Sequence, residues 1–254
     1  MTVVQAPTSW QRVDFISDVH LDANAPATFE AWQRYMANTP ADAVFILGDL
    51  FEVWVGDDTT DAFALSCADV LERTSQRLSV YFLCGNRDFL VGPQLHNATG
   101  MHGMSDPTVL ELGQQRLLLT HGDSLCLDDV DYLQFRQQVR QASWQEAFLA
   151  KPLSERQHIA RGLRAQSEAR KQSTTDYADV DAQAATDWLR QTECQTLIHG
   201  HTHKPATHDL GSGLTRWCLS DWHAEGSSPR LEVLSWLRDQ DNSPRQGLCR
   251  SSLL

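Results

Sequence analysis

One unit recurs along this chain and limits what it can fold into: a short apolar run that empties into a loop of aspartate, asparagine, histidine and glycine. Runs this short, bounded by turn residues, predict buried strands. The clearest instance is Thr196-Leu197-Ile198, which leads into His199-Gly200-His201-Thr202-His203-Lys204-Pro205. A loop at the carboxyl end of a buried strand is where α/β folds carry their chemistry. Imidazoles two residues apart in such a turn can converge on a metal cluster, and Gly200 permits the tight turn. Taken alone, a solvated histidine-rich loop competes with that reading.

The partner motifs decide between the two. Arg12 to Ser17 predicts a first strand ending at Asp18-Val19-His20, and residues i and i+2 of an extended segment share a side. Phe29, Trp32, Tyr35 and Met36 fall at helical spacing, then Ala43 to Leu47 predicts a strand that stops at Gly48-Asp49. Asp49 is either a turn residue or an acidic group placed to bridge two ions. A helix is expected over Asp61 to Arg77, then a strand Val80 to Cys84 running into Gly85-Asn86-Arg87-Asp88. Leu117 to Thr120 delivers His121-Gly122-Asp123 in the same manner. Five strand ends thus present Asp18 with His20, Asp49, Asn86, His121, and His201 with His203. Arg216 to Ser220 and Arg230 to Leu234 predict closing strands, and His223 between them is given no catalytic role.

Composition bounds the partners. The chain has 254 residues and a formal net charge of -12, which argues against nucleic acid or any other polyanion as a general partner. No apolar run reaches the roughly 20 residues needed to span a bilayer, and Met1 to Trp10 does not read as a secretory signal. The six cysteines have no paired spacing and predict packed thiols of a reducing compartment.

The order Asp-x-His, Gly-Asp, Gly-Asn, His-Gly-Asp and Gly-His-x-His resembles the calcineurin-like metallophosphoesterases, whose α/β fold stacks two mixed sheets flanked by helices. Ile46 to Glu52, Gly85 to Leu90, His121 to Cys126 and Ile198 to Pro205 are closer still to the bacterial UDP-2,3-diacylglucosamine pyrophosphohydrolases of lipid A biosynthesis. The likeness covers roughly residues 11 to 230. It implies two Mn2+ per subunit, one held by Asp18, His20, Asp49 and His203, the other by Asp49, Asn86, His121 and His201. Ligands of this type, without thiolate, suit manganese, iron or zinc. It also implies water attack on the nucleotide α phosphate, giving UMP and 2,3-diacylglucosamine 1-phosphate. Asp49, Asn86 and Arg87 are the expected catalytic groups.

Arg87 departs from the wider superfamily, where histidine often follows Gly-Asn. An arginine, with a pKa above about 12, cannot act as a general acid. The leaving group should therefore need no proton, as holds for a phosphate monoester, and the guanidinium can grip phosphate oxygens. A surface salt bridge is the competing reading of Arg87.

Between the fourth and fifth motifs, from Asp131 to Arg190, apolar residues recur at helical spacing and predict a helical cap inserted in a domain of residues 1–237. Residues 151 to 171 hold Lys151, Arg156, Arg161, Arg164, Arg170 and Lys171 against Glu155 and Glu168, a net charge of +4. These charges form either the solvated face of a packed helix or a basic lid over an anionic headgroup. The likeness favours the lid, and Trp144 and Phe148 of its apolar side are expected to meet acyl chains. It extends substrate contacts to Asn86, Arg87, Asp129, Ser167 and His201, and by position to Lys171 and Thr174. Asp129 reads equally well as a helix cap. The expected partners are the lipid-linked nucleotide sugar and an anionic membrane surface, with peripheral attachment to the cytoplasmic face of the inner membrane and no obligate protein partner. A soluble nucleotide-sugar or dinucleotide pyrophosphatase is the alternative enzyme, and a non-catalytic scaffold the alternative of another class. Residues 238–254, polar throughout most of their length, are expected to form a mobile tail.

Overall fold

A computed structural model describes residues 1–173, 178–238 and 247–254, and for residues 165–173 the backbone alone. The chain runs β1 (Thr2–Gln5), β2 (Arg12–Ile16), α1 (Pro26–Asn38), β3 (Ala43–Leu47), α2 (Ala62–Ser75), β4 (Ser79–Leu83), α3 (Pro93–Thr99), β5 (His102–Met104), β6 (Thr108–Leu112) and β7 (Gln115–Thr120). It continues through α4 (Val130–Val139), α5 (Ala142–Leu149), α6 (Leu153–Ser173), α7 (Ala182–Gln191), β8 (Thr196–His199), β9 (Ala206–Gly211), β10 (Leu214–Cys218), β11 (Glu232–Leu237) and β12 (Gly247–Ser252). Two mixed sheets form, ordered β1-β6-β7-β8-β10-β9 and β12-β11-β2-β3-β4-β5.

Strand alternation sorts the side chains into layers. Val13, Phe15, Phe45 and Leu47 of one sheet meet Leu110, Leu117, Leu119 and Ile198 of the other, forming the core between the sheets. The opposite face of the β2–β3–β4 sheet, with Val44, Ile46, Val80 and Phe82, packs on Trp32, Met36, Cys67 and Leu71 of α1 and α2. On the other side, Leu118 and Leu197 pack on Ala185 and Leu189 of α7. The expected α/β architecture of two stacked mixed sheets between helices is therefore present.

Helix ends show why these segments stop where they do. Asp61 and Asp181 cap α2 and α7 by accepting from Ala64 N and Ala184 N. Helix α1 starts with Pro26 after Ala25, which has no capping side chain. Its cap comes from far along the chain: the Glu225 carboxylate accepts from Thr28 N at 3.0 Å and Thr28 Oγ1 at 2.5 Å. The segment Trp222 to Ser227 thus has a structural task, and His223 is exposed.

Two sequence boundaries move. Helix α7 flanks a sheet and shares its core, so the helices that lie outside the sandwich are α4, α5 and α6, and the cap ends before Arg190. A buried amphipathic helix and a cap helix have the same periodicity, which is why the two merged in the sequence. At the other end, Gly247–Ser252 is no mobile tail: as β12 it pairs antiparallel with β11 across Glu232↔Ser252 to Leu237↔Gly247. Its edge position tolerates a polar sequence, which hid it.

Parallel register collects the chemistry at one end. Ile16 lies opposite Ile46, Leu47 opposite Leu83, and Thr120 opposite His199, so five carboxyl ends finish level with one another.

Candidate metal centre

The loops continue the ladder for one more step before turning. Asp18 N donates to Gly48 O, His20 N to Asp49 O and Gly200 N to His121 O, at 3.0–3.1 Å. Asp18, His20, Asp49, His201 and His203 all have φ between 50° and 67°. The expectation that Asp18 and His20 share the side of an extended segment therefore fails in its cause, though not in its outcome: left-handed turns aim them together. Non-glycine residues avoid this region at a cost of order 1–3 kcal/mol each, and its concentration on five ligand-type residues marks a site held in place by its surroundings.

Glycine is required where these loops touch. A Cβ on Gly85 would overlap Asp49 Oδ1 and its backbone nitrogen, and one on Gly200 would overlap Asp18 Oδ2 and Ser17 Oγ.

The ligand-type atoms converge. Asp18 Oδ1 lies 3.3 Å from His203 Nε2 and 3.9 Å from His20 Nε2, and those two ring nitrogens are 3.2 Å apart. Asp18 also forms a fully buried trio with Asp49 and His121, with Asp49 Oδ1 3.7 Å from His121 Nε2. Asn86 Oδ1 lies 2.9 Å from both His121 Nε2 and His201 Nδ1. All seven ligand-type residues named from the sequence thus form one cluster, with Asp18 common to two of its trios.

The electrostatics fit a cation. His121 Nδ1 faces Leu47 O at 2.9 Å, and a carbonyl only accepts, so Nδ1 carries a proton and Nε2 points into the cluster. Burial alone lowers the His121 pKa, but Asp49, Asp18 and Asp123 outweigh it and push it up to about 9. A proton is thus held where a divalent ion would do the same work. Asp18 stays well below the ordinary carboxylate range despite burial, chiefly through His203. His201 is pushed down to about 3, by burial first and then by His121, and so presents a neutral ring. His199 is likewise lowered, to about 4, by burial and Arg216, but its Nδ1 lies 2.8 Å from Gly200 O and its Nε2 faces Arg216 outside the cluster.

Several groups that position the ligands were not singled out in the sequence. The Asp88 carboxylate is fully buried and accepts from four backbone N–H groups: Gly85 at 2.8 Å, Asp49 at 3.3 Å, Leu50 at 2.7 Å and Phe51 at 3.3 Å. Burial and Asp49 push its pKa up to about 7 while those donors pull it down. Glu52 Oε2 lies 2.9 Å from His20 Nδ1, off the N–H direction, so charge dominates the contact. Asp123, two residues after His121, accepts from Tyr132 at 2.5 Å and Arg136 at 2.8 Å, and the Tyr132 ring stacks on His201 at 5.8 Å. The signal for Asp88 and Asp123 lay in their motifs, Gly-Asn-Arg-Asp and His-Gly-Asp, since a buried acid beside a ligand has to be bonded.

Arg87 sits at the rim. Its backbone N–H donates to Asp49 Oδ1 at 2.8 Å, and its guanidinium is 3.4 Å from Glu52 Oε1. The cap is braced against the same loop. Arg140 donates to Gly85 O at 2.7 Å, and Trp144, stacked on Phe148 at 4.9 Å, packs near Phe89 at 6.1 Å. Phe148 is buried in the core cluster against which Trp144 and Phe89 pack. Among the described residues of this region, Leu127, Val130, Leu149 and Leu163 are exposed large apolar side chains.

The basic segment is partly spent on internal pairs. Arg156 is buried and bonds Val55 O and Asp58, Lys151 pairs with Glu155, and Arg164 reaches Asp22 at 3.4 Å. Asp129 is exposed and caps α4, accepting from Tyr132 N at 3.2 Å. The side chains of Ser167 and Lys171, and Thr174 as a whole, lie outside the described residues. All six cysteines are free thiols, and burial pushes those of Cys67, Cys84 and Cys126 up to about 12. No helix among the described residues is long and apolar enough to cross a membrane.

Comparison with known proteins agrees with this geometry. A family model described as calcineurin-like phosphoesterase matches residues 11–205. A protein of Chromobacterium violaceum named UDP-2,3-diacylglucosamine hydrolase is 44% identical over 220 residues, 83% of this chain and 90% of its own length. One of the same name from Stenotrophomonas maltophilia is 40% identical over 242 residues, 89% of this chain and 96% of its own. A chain that carries the whole ligand set at the level ends of two stacked sheets, and matches such relatives nearly end to end, belongs to the calcineurin-like phosphoesterase family.

Proposed function

We propose that this protein hydrolyses the diphosphate bond of UDP-2,3-diacylglucosamine, releasing UMP and 2,3-diacylglucosamine 1-phosphate, with two manganese ions per subunit. The observation that carries the reading is a buried Asp–His–Asn cluster with an arginine at its rim, in a chain whose relatives bear that hydrolase name.

Asp18, His20, Asp49, Asn86, His121, His201 and His203 would hold the ions. Divalent ions bound there supply positive charge to a phosphoryl oxygen and acidify water. The chain's own groups do the rest. Leu47 O fixes the His121 tautomer, and Asp88 gathers the N–H groups of two ligand loops. Asp49 accepts from Arg87 N, so one carboxylate ties the ligand cluster to the arginine loop. The Arg87 guanidinium stays charged and is suited to grip the diphosphate. A sugar phosphate leaves as a stable anion, its second pKa being near 6, so no proton donor is required of the arginine.

Exposed Leu127, Val130, Leu149 and Leu163 support an apolar rim for acyl chains and peripheral attachment to an anionic inner-membrane surface. The deciding experiment assays chelator-treated protein, with and without manganese, on the acylated substrate and a deacylated analogue. UMP release that needs metal and favours the acylated substrate is expected. Equal turnover of both would favour a soluble nucleotide-sugar pyrophosphatase.

A further inference from the structure

Glu52 lies where the ligand cluster meets the cap. Its side chain is 13% exposed, and its two oxygens face three nitrogen-bearing groups: Oε2 is 2.9 Å from His20 Nδ1, and Oε1 is 3.1 Å from Arg164 Nε and 3.4 Å from Arg87 Nη1. Arg164 belongs to α6, so one carboxylate touches a ligand, the rim arginine and the cap. Its backbone is fixed as well, since Glu52 N donates to Leu21 O next to His20. A carboxylate shared in this way cannot relax toward one partner without weakening its hold on the others.

We propose that Glu52 is a positioning residue that couples the cap to the metal centre: its single charge makes His20 a stronger ligand and seats α6 through Arg164. Carboxylates behind a ligating imidazole raise its basicity and restrain its ring, and removing one typically costs roughly 10- to 100-fold in metal affinity. An ion pair that is partly buried also restrains the helix bearing it. The proposal rests on the reading of the Asp18–His203 cluster as a metal centre, but neither readout below involves a substrate.

The test is Glu52→Gln, which keeps the shape and removes the charge. Metal affinity is measured by competition with a chelator, using Mn2+, and cap mobility by amide hydrogen exchange over residues 153–164 of the metal-free protein. Glu52→Gln should weaken Mn2+ binding by about 10-fold or more and also speed exchange in α6. Arg164→Ala should speed exchange in α6 and, by freeing Glu52 toward His20, also shift Mn2+ affinity, though by less than Glu52→Gln does, and the double variant should exchange no faster than the faster single one. A Glu52→Gln protein in which only one property moves, or neither, overturns the coupling. If that variant fails to fold, unchanged α6 exchange in Arg164→Ala overturns it instead. Wild-type protein that binds no Mn2+ overturns both this inference and the metal-centre reading.

Discussion

Replacing Asp88 by asparagine tests whether the site is held by its backbone bonds. Each carboxylate oxygen accepts from two N–H groups, Oδ1 from Gly85 and Asp49, Oδ2 from Leu50 and Phe51. Asparagine has one acceptor oxygen, and its NH2 group would face two of these donors. Two buried N–H groups left without an acceptor cost about 1–3 kcal/mol each. For a chain of this size 1 kcal/mol shifts melting by about 2–4 °C, so the metal-loaded protein should melt roughly 5–20 °C lower. Without metal the loss should be smaller. There the Asp88 charge is opposed by burial and by Asp49, which push its pKa up to about 7, and asparagine removes that repulsion. Differential scanning calorimetry with and without Mn2+ measures both. Melting within about 2 °C of wild type in the loaded form, or a larger fall in the metal-free form, would refute the reasoning.

Asp49→Ala should abolish turnover and release at least one ion while circular dichroism stays native, and two retained ions with normal turnover would remove Asp49 from the centre. Hydrolysis in ¹⁸O-labelled water should place the label in UMP, and mass spectrometry finding it only in the lipid phosphate would reverse the attacked atom. Asp179, bonded to buried Arg216, is held down to about 2 by that hydrogen bond and by Val180 N–H, against burial that raises it. Its folded pKa lies below the unfolded one, so its stabilisation is present above about pH 4 and is lost as pH falls toward about 2. The urea midpoints of wild type and Asp179→Ala should therefore differ at neutral pH and converge on acidification. A gap independent of pH would assign the effect to packing.

The ligand cluster was legible because strand ends in a parallel sheet impose a sequence signature: an apolar run, then a turn, then a metal-binding side chain. Ala43–Leu47 followed by Gly48-Asp49 shows it in full. What could not be read is whatever depends on a partner distant in sequence. Thr2–Gln5 is mostly exposed and becomes a strand only because β6 offers it a parallel edge. The left-handed turns at Asp18 and His201 carry only a weak mark, since aspartate and histidine enter that region more readily than most residues but still occupy it rarely. Glu52 and Asp88 stood in plain view within their motifs, but only their bonded neighbours reveal what they hold.

The neighbours of β2 set an order of events for the nascent chain. The strand lies between β3, which follows soon after, and β11, whose residues are more than 200 positions further on. At a ribosomal rate of about 5–20 residues per second, one edge of β2 waits roughly 10–40 s for its partner. The Glu225 cap of α1 and the histidines at 201 and 203 arrive almost as late. The N-terminal half therefore emerges as a sheet with an open edge and five of the seven ligand-type residues. The full ligand set exists only once His201 and His203 have joined the other five residues.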